Sequence, residues 1–540
     1  MAHLPLVLPS CQDASYDAAR ITRFPRSPLR TRTTTEVFRA LGTVALLLLL
    51  PWVVYGSAVS LSYGLRDDYA ILREAREEPG KILKVCGAMG RPLYGWLLDR
   101  SSRAAGDVRG LGGLRALAVA GLGMLALAVF LLLKAEGWSR GPAVLLASFL
   151  TVIPSAQVVA SWGICWPQAV ALLFSVGAFA LARAGLREAP RGARGWSLCV
   201  GASVALAASM LIYQASGPFY AVLLAAVVAT QRYENPRALA RGLGGHLLVV
   251  IAGLGLAYVV TRMSFALGVF TPSPRMALER HFVDKAVWFV TKVLPNALAL
   301  NVLDDSDTAP SWGYWLMVGG TLALVLSALA VEGRRAGRVA VGTWGVAIVG
   351  LMGLAYCASL LASERWPTYR TLFALTGVWS VFVFAAVVRL GTLWPSRGPQ
   401  VALGLLTVFV LGGAVLARQQ SLELFAWPQG RELALMRQGA AALEPSRPSR
   451  VFVLTARQWD TSAHRRYLDE FGSISVDTEW VAKELFATAV RERFPQARDL
   501  SALYRFDAGP VAPEARGYDI LVDMRQLRSA STRTLLPRAR

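Results

Sequence analysis

The feature that most limits what this chain can become is its series of apolar runs, each roughly 18–24 residues, long enough as helix to cross about 30 Å of hydrocarbon. Eleven such spans are read at 38–60, 112–134, 141–159, 165–185, 196–213, 216–231, 244–262, 313–331, 339–362, 370–390 and 399–418. Hydrophobic residues make up 54% of the 540 and charged residues only 17%. A water-soluble chain of this length has nowhere to hide that much apolar surface, whereas a bilayer is an apolar solvent for it. The sequence therefore predicts a mainly α, polytopic membrane protein.

The net charge of +21 would ordinarily raise nucleic-acid binding. Its placement argues against that. Arg20, Arg23, Arg26, Arg30 and Arg32 precede the first run, and later clusters occupy short connectors: Arg183, Arg187, Arg191 and Arg194; Arg232, Arg237 and Arg241; Arg334, Arg335 and Arg338; Arg389 and Arg397. Short basic loops beside spans mark the cytoplasmic side. All the later clusters share that side only if 196–231 crosses twice, around Tyr213–Pro218. The resulting partition is a basic cytoplasmic tail (1–36), a transmembrane region (37–418) with long outer loops at 61–111 and 263–312, and an extracytoplasmic region (419–540). The first run is read as an uncleaved anchor rather than a signal peptide. The scattered Cys11, Cys86, Cys165, Cys199 and Cys357, with His3, His246, His281 and His464, give no metal-ligand spacing. No metal or other cofactor is expected.

Beyond Gln419 the composition becomes that of a soluble α/β cap. Val451–Leu454 and Tyr518–Val522 have the pattern of short buried strands. Asp477–Phe494 reads as an amphipathic helix, with Trp480, Val481, Leu485, Ala489 and Val490 on one face.

The first outer loop carries the most informative motif, Asp67-Asp68-Tyr69. Adjacent carboxylates raise one another's proton affinity, and partial burial adds to this, as a general base near neutral pH requires. The plainer reading is two loop aspartates capping the following helix, Tyr69–Glu78. Further on, Gly90-Arg91-Pro92-Leu93 opens a helix rich in Tyr and Trp, suited to the membrane interface. Ser363–Arg370 places Arg365 and Arg370 in a tight outer connector around Trp366. Such arginines either hold a phosphate by charge-assisted hydrogen bonds or anchor the chain at the headgroups. Asn301–Asp307 contains an Asp-x-Asp and reads as a solvated acidic loop. Phe282–Leu300, with Asp284, Lys285 and Lys292, reads as an apolar helix lying flat on the membrane.

Taken in order, Asp67-Asp68, Gly90-Arg91-Pro92-Leu93, Tyr213-Gln214, Tyr369-Arg370-Thr371-Leu372 and Asp469-Glu470-Phe471-Gly472 resemble the GT-C class of polytopic glycosyltransferases. Within that class the chain looks most like the type II O-antigen-modifying glucosyltransferases. The resemblance implies inverting transfer of a sugar from a polyprenyl-phosphate donor to a glycan or lipid acceptor at the outer face of a bacterial plasma membrane. It implies a base at Asp67 or Asp68, donor-phosphate contacts from Arg370, Arg365 and Arg91, and substrate contacts from Tyr69, Tyr213 and Gln214. The partners are then the lipid-linked donor, the acceptor and membrane lipids, with no nucleic acid. Two other classes fit less well. A transporter or flippase of lipid-linked sugars would place ionisable groups at mid-membrane. An O-antigen polymerase or ligase would not call for the early acidic pair.

Overall fold

The structure is a computed structural model that describes residues 34–188, 192–230, 236–305, 310–455, 467–468, 470–497, 499–514 and 517–528, with only the backbone of 236–241. The basic N-terminal tail, Cys11, His3, His464, Arg191, Arg232, Asp307 and Asp469 lie outside the described residues. Contacts divide the chain after Ala45, and residues 46–540 form one unit.

Among the described residues nine helices are long and apolar enough to cross a membrane, and the bent pair Arg140–Phe149 and Pro154–Ser161, at 54°, makes a tenth. The sequence reading gave eleven. The difference lies at 216–231, where three residues of 3-10 helix, Gly217–Phe219, lead into only eleven of α-helix, Tyr220–Thr230. At 1.5 Å per residue the α-helical part rises only about 16 Å, too short to span the hydrocarbon alone. Its start is recessed, however: Ser175 Oγ, well down the helix Trp166–Glu188, donates to the Gly217 carbonyl at 2.7 Å. Its far end meets Arg389, which donates to the Ala229 carbonyl at 2.9 Å. The chain thus passes through the bundle here on a short helix fed by a sunken turn.

The two ends of the bundle differ in chemistry. At one end Arg183 pairs with Glu136, Arg389 pairs with Glu332, and Arg335 donates to Thr392 Oγ1 at 2.8 Å. The other end gathers the long loops. Ser273 N donates to the Ala88 carbonyl, Ser363 N to Ala277 and Leu468 N to Asp304, each at 2.9 Å. The side chains between follow the solvent they meet. The helix Phe373–Gly391 is buried along most of its length, whereas Leu248, Ile251, Val346, Val349, Val408 and Val415 are exposed on neighbouring helices. Such an apolar belt is stable in lipid and not in water. Small residues close the packing: a Cβ on Gly112 would lie 2.8 Å from the Val59 carbonyl, and one on Gly121 would lie 2.7 Å from Ala169 Cβ. Gly113, beside Gly112 in sequence, faces open space.

The C-terminal region leaves the last long helix, Gly398–Gln420, through a π-helical turn, Ser421–Ala426, and continues as Trp427–Ala441. A three-stranded parallel sheet follows: β1 (Ser449–Leu454), β2 (Tyr504–Gly509) and β3 (Ile520–Asp523), in the order β2-β1-β3. The sequence reading anticipated β1 and β3 but not β2. The helix Glu479–Arg493 buries Val481, Leu485, Ala489 and Val490, as expected, while Trp480 is exposed. This layer shares one apolar core with the first outer loop: Tyr69, Leu72, Val108 and Leu111 pack with Leu433, Met436, Val481 and Leu485.

Because basic connectors favour the cytoplasmic side, the loop-rich end and the C-terminal region are expected outside. A phosphatase that works only after export, fused after Arg540, should be active. Activity from a cytoplasm-only reporter at the same point would invert the topology.

Candidate functional site

Chain direction at the first outer loop is set by a buried arginine that the sequence reading did not single out. Arg115, on the first turn of Leu111–Ala135, has no exposed surface and spends its donors on backbone. It donates to the carbonyls of Ala58 (3.1 Å), Leu61 (2.6 Å) and Tyr63 (2.9 Å), with its guanidinium 3.9 Å from the Tyr63 ring centroid. Tyr63 in turn donates to the Ser161 carbonyl at 2.7 Å. Five donors in a planar fork suit arginine to this task.

The acid pair opens the helix Asp67–Glu77, and its two members part company. Asp68 is fully buried. Its Oδ2 accepts from Leu65 N at 2.8 Å and its Oδ1 from Ile164 N at 3.0 Å, tying the loop to the turn after Pro154–Ser161. A Cβ on residue 163 would come within 3.1 Å of Asp68 Oδ1, so Gly163 is what admits this approach. Burial pushes the Asp68 carboxyl up to about 7, while the two N–H donors and Arg115 pull the other way. Tyr69 is also fully buried, its hydroxyl donating to the Gly64 carbonyl at 2.9 Å. It braces the loop from inside.

Asp67 is the member left partly open. Burial raises its proton affinity; Arg370 opposes this most strongly, the Glu470 carboxylate adds to it, and Arg66 and Arg275 oppose it further. These groups come from four separate segments of sequence. Arg66, immediately before it, has φ 44°, a left-handed conformation costly for a residue with a Cβ. The turn is held there from the C-terminal region: Arg66 N donates to Ser475 Oγ at 2.9 Å, and Arg66 Nε lies 3.0 Å from Glu470 Oε2.

Arg370 follows Tyr369 in a 3-10 turn, its guanidinium 5.0 Å from the Trp162 ring centroid. Tyr369 is pinned on two sides: its hydroxyl accepts from Asp304 N at 2.8 Å, and its carbonyl accepts from Ser155 Oγ at 2.5 Å. Arg365 is paired with the second outer loop. It lies 3.5 Å from Glu279 Oε2, in a seam where Lys285 Nζ donates to the Ala362 and Glu364 carbonyls at 2.7 Å each. That seam belongs to the second outer loop. Its helix Phe282–Trp288 turns Lys285 inward and leaves Phe282, Val283 and Val287 exposed, the reverse of a soluble helix and apt for one lying against lipid. The same loop brings Arg275, which the sequence reading missed, to within 3.6 Å of Glu364.

Arg91, Tyr213 and Gln214 do meet. Arg91 Nε donates to Gln214 Oε1 at 2.5 Å and its guanidinium lies 4.7 Å from the Tyr213 ring centroid, while Gln214 Nε2 donates to the Met89 carbonyl at 2.9 Å. The acidic stretch at Asp304 is not the solvated loop expected: Asp305 is buried and pairs antiparallel with Tyr467, so the stretch docks on the C-terminal region.

No protein-family model matches the chain, and no curated protein matches it. Solved structures similar to it include an oligosaccharyltransferase from Archaeoglobus fulgidus in its apo form, with TM-score 0.43 and 13% identity over 85% of this chain and 64% of that one. The same oligosaccharyltransferase in complex with zinc and sulfate gives 0.40 and 14%, over 83% and 61%. ArnT from Cupriavidus metallidurans in the apo state gives 0.40 and 12%, over 86% and 90%. The chain thus spans less than two thirds of the oligosaccharyltransferase.

Asp68→Asn offers one acceptor where two N–H groups need one each, a loss of about 1–3 kcal/mol. The sign with pH follows from the raised carboxyl. Folded Asp68 holds a proton that the unfolded side chain, near 3.8, releases, so its contribution falls as pH climbs towards about 7. Thermal unfolding in detergent should therefore show the largest gap between wild type and Asp68→Asn in acid, narrowing towards pH 7. A gap that widens with pH would refute this assignment.

Proposed function

We propose that this protein is a glycosyltransferase of the GT-C class. It transfers a sugar, glucose or another hexose, from polyprenyl phosphate to a hydroxyl of a glycan or lipid acceptor at the outer face of a bacterial plasma membrane. The observation that carries the reading is the division of labour within the acid pair. Asp68 is consumed in holding backbone, while Asp67 is left partly open, raised in proton affinity and bordered by arginines from different segments.

In this reading Asp67 accepts the proton of the acceptor hydroxyl as its oxygen attacks the anomeric carbon. The bond from that carbon to the phosphate oxygen breaks on the opposite face, and polyprenyl phosphate departs with the electron pair. The configuration inverts. Arg370, with Arg275 from the second outer loop, stabilises the charge that grows on the departing phosphate. Arg91, steadied by Gln214 and stacked on Tyr213, lines the donor side of the same end of the bundle. Arg365, paired with Glu279, keeps the second outer loop against the connector that carries Arg370.

Asparagine keeps the shape of aspartate but cannot take up the proton. Asp67→Asn should accumulate normally and lower transfer of labelled sugar from a polyprenyl-phosphate donor to membrane glycan by about 10²–10⁴-fold, the scale of general-base catalysis. Near-normal transfer would remove Asp67 from the chemistry.

Arg370→Ala should weaken donor binding measurably in purified, folded protein, and Arg370→Lys should recover only part, since an ammonium lacks the planar fork. Unchanged donor affinity in the alanine variant would return Arg370 to a packing role against Trp162.

A further inference from the structure

The C-terminal region reaches the acid pair through one turn. Phe471, fully buried, sits edge-on to Tyr369 (ring centroids 5.4 Å) and to Phe425 (4.8 Å), so the turn is anchored beside Arg370. Gly472 N donates to the Leu424 carbonyl at 3.0 Å, and Glu432 accepts from Ser475 N (3.0 Å) and Val476 N (3.1 Å). On this frame stands Glu470, its side chain only 4% exposed, against Arg66. A buried carboxylate is costly unless it is paired, and Glu470's partner is the strained residue just ahead of Asp67. Asp477 adds a second, looser contact to Arg66 at 3.5 Å.

We propose that Glu470 is a positioning residue of the transfer reaction, acting on Asp67 from the C-terminal region through Arg66. This rests on Asp67 being the base. Glu470 performs two tasks at once. Its ion pair holds Arg66 in the left-handed conformation that aims the first turn of Asp67–Glu77. Its negative charge also balances the cations around Asp67, which would otherwise make that carboxylate a poor proton acceptor. The charged groups facing Asp67 are Arg66 and Asp68 from its own loop, Arg370 from the connector, Arg275 from the second outer loop and Glu470 from the C-terminal region. Of these, Glu470 is the carboxylate contributed from outside the loop.

The test is the pH dependence of kcat/KM in the full-length protein. Glu470→Gln removes a negative neighbour, so the acid limb of the profile should move to lower pH by about half a unit or more, with a lower plateau. Glu470→Asp keeps the charge and should return the limb towards its wild-type position. Arg66→Gln removes a positive neighbour and should move the limb the opposite way, to higher pH. A merely structural role of Glu470 would lower the plateau in both Glu470 variants and leave the limb in place, which would overturn the inference. If Glu470→Gln alone fails to accumulate, the paired variant Arg66→Gln with Glu470→Gln, which removes both partners of the buried pair, decides: a limb below that of Arg66→Gln supports the inference and an equal limb overturns it. Failure here is separable from failure of the base assignment. An inactive Asp67→Asn with unmoved limbs sinks only the role of Glu470, whereas a fully active Asp67→Asn sinks both.

Discussion

The loop-rich end of this protein depends on one buried carboxylate held by two backbone N–H groups. Asp68 joins Leu65 to Ile164, two points 99 residues apart in sequence, and it does so where water cannot compete. Breaking either bond strands a buried N–H donor, which costs more than an ordinary hydrogen bond contributes. Arg115 performs the mirror task with cation and carbonyls, collecting three backbone oxygens from the end of the first span and the loop beyond it. Together they fix the path of 58–68, leaving one carboxylate, Asp67, partly open. Adjacent residues of one type thus meet different surroundings: Asp68 meets backbone donors and Asp67 a ring of charged side chains.

The bilayer explains the rest of the architecture. The second outer loop buries a lysine and exposes phenylalanine and valine, because its outer neighbour is lipid and its inner neighbours are the bare carbonyls of the connector at 362–364. At the opposite end, the arginines of the connectors pair with Glu136 and Glu332. The sunken turn after Tyr213 belongs to the same logic. A helix of eleven residues suffices for Tyr220–Thr230 because the turn that feeds it enters the bundle.

The sequence was a good guide to the spans and to the clustering of motifs, since apolar length and short-range spacing are local signals. Helix Asp67–Glu77 and strands β1 and β3 were legible in this way. What escaped were features decided by distant packing. Arg115 looks like an ordinary charge at a helix start until its three carbonyls arrive. Asp305 looks solvated until Tyr467 pairs with it. Tyr69 sits beside the acid pair in sequence, yet Gly64 claims its hydroxyl. Arg275 carries no motif, and β2 has only a weak alternation to announce it.

The contact between Arg66 N and Ser475 Oγ links residues 409 positions apart. A chain made from its N-terminus must therefore complete all its membrane passages, and deliver its last hundred or so residues to the same side, before the first loop receives its final brace. Contacts of such long separation form late, because closure of the intervening loop must come first. The first outer loop is thus completed by the last part of the chain to be made. A chain stalled or truncated before this turn contains Asp67 but lacks the contacts of Ser475 and Glu470 with Arg66 beside it.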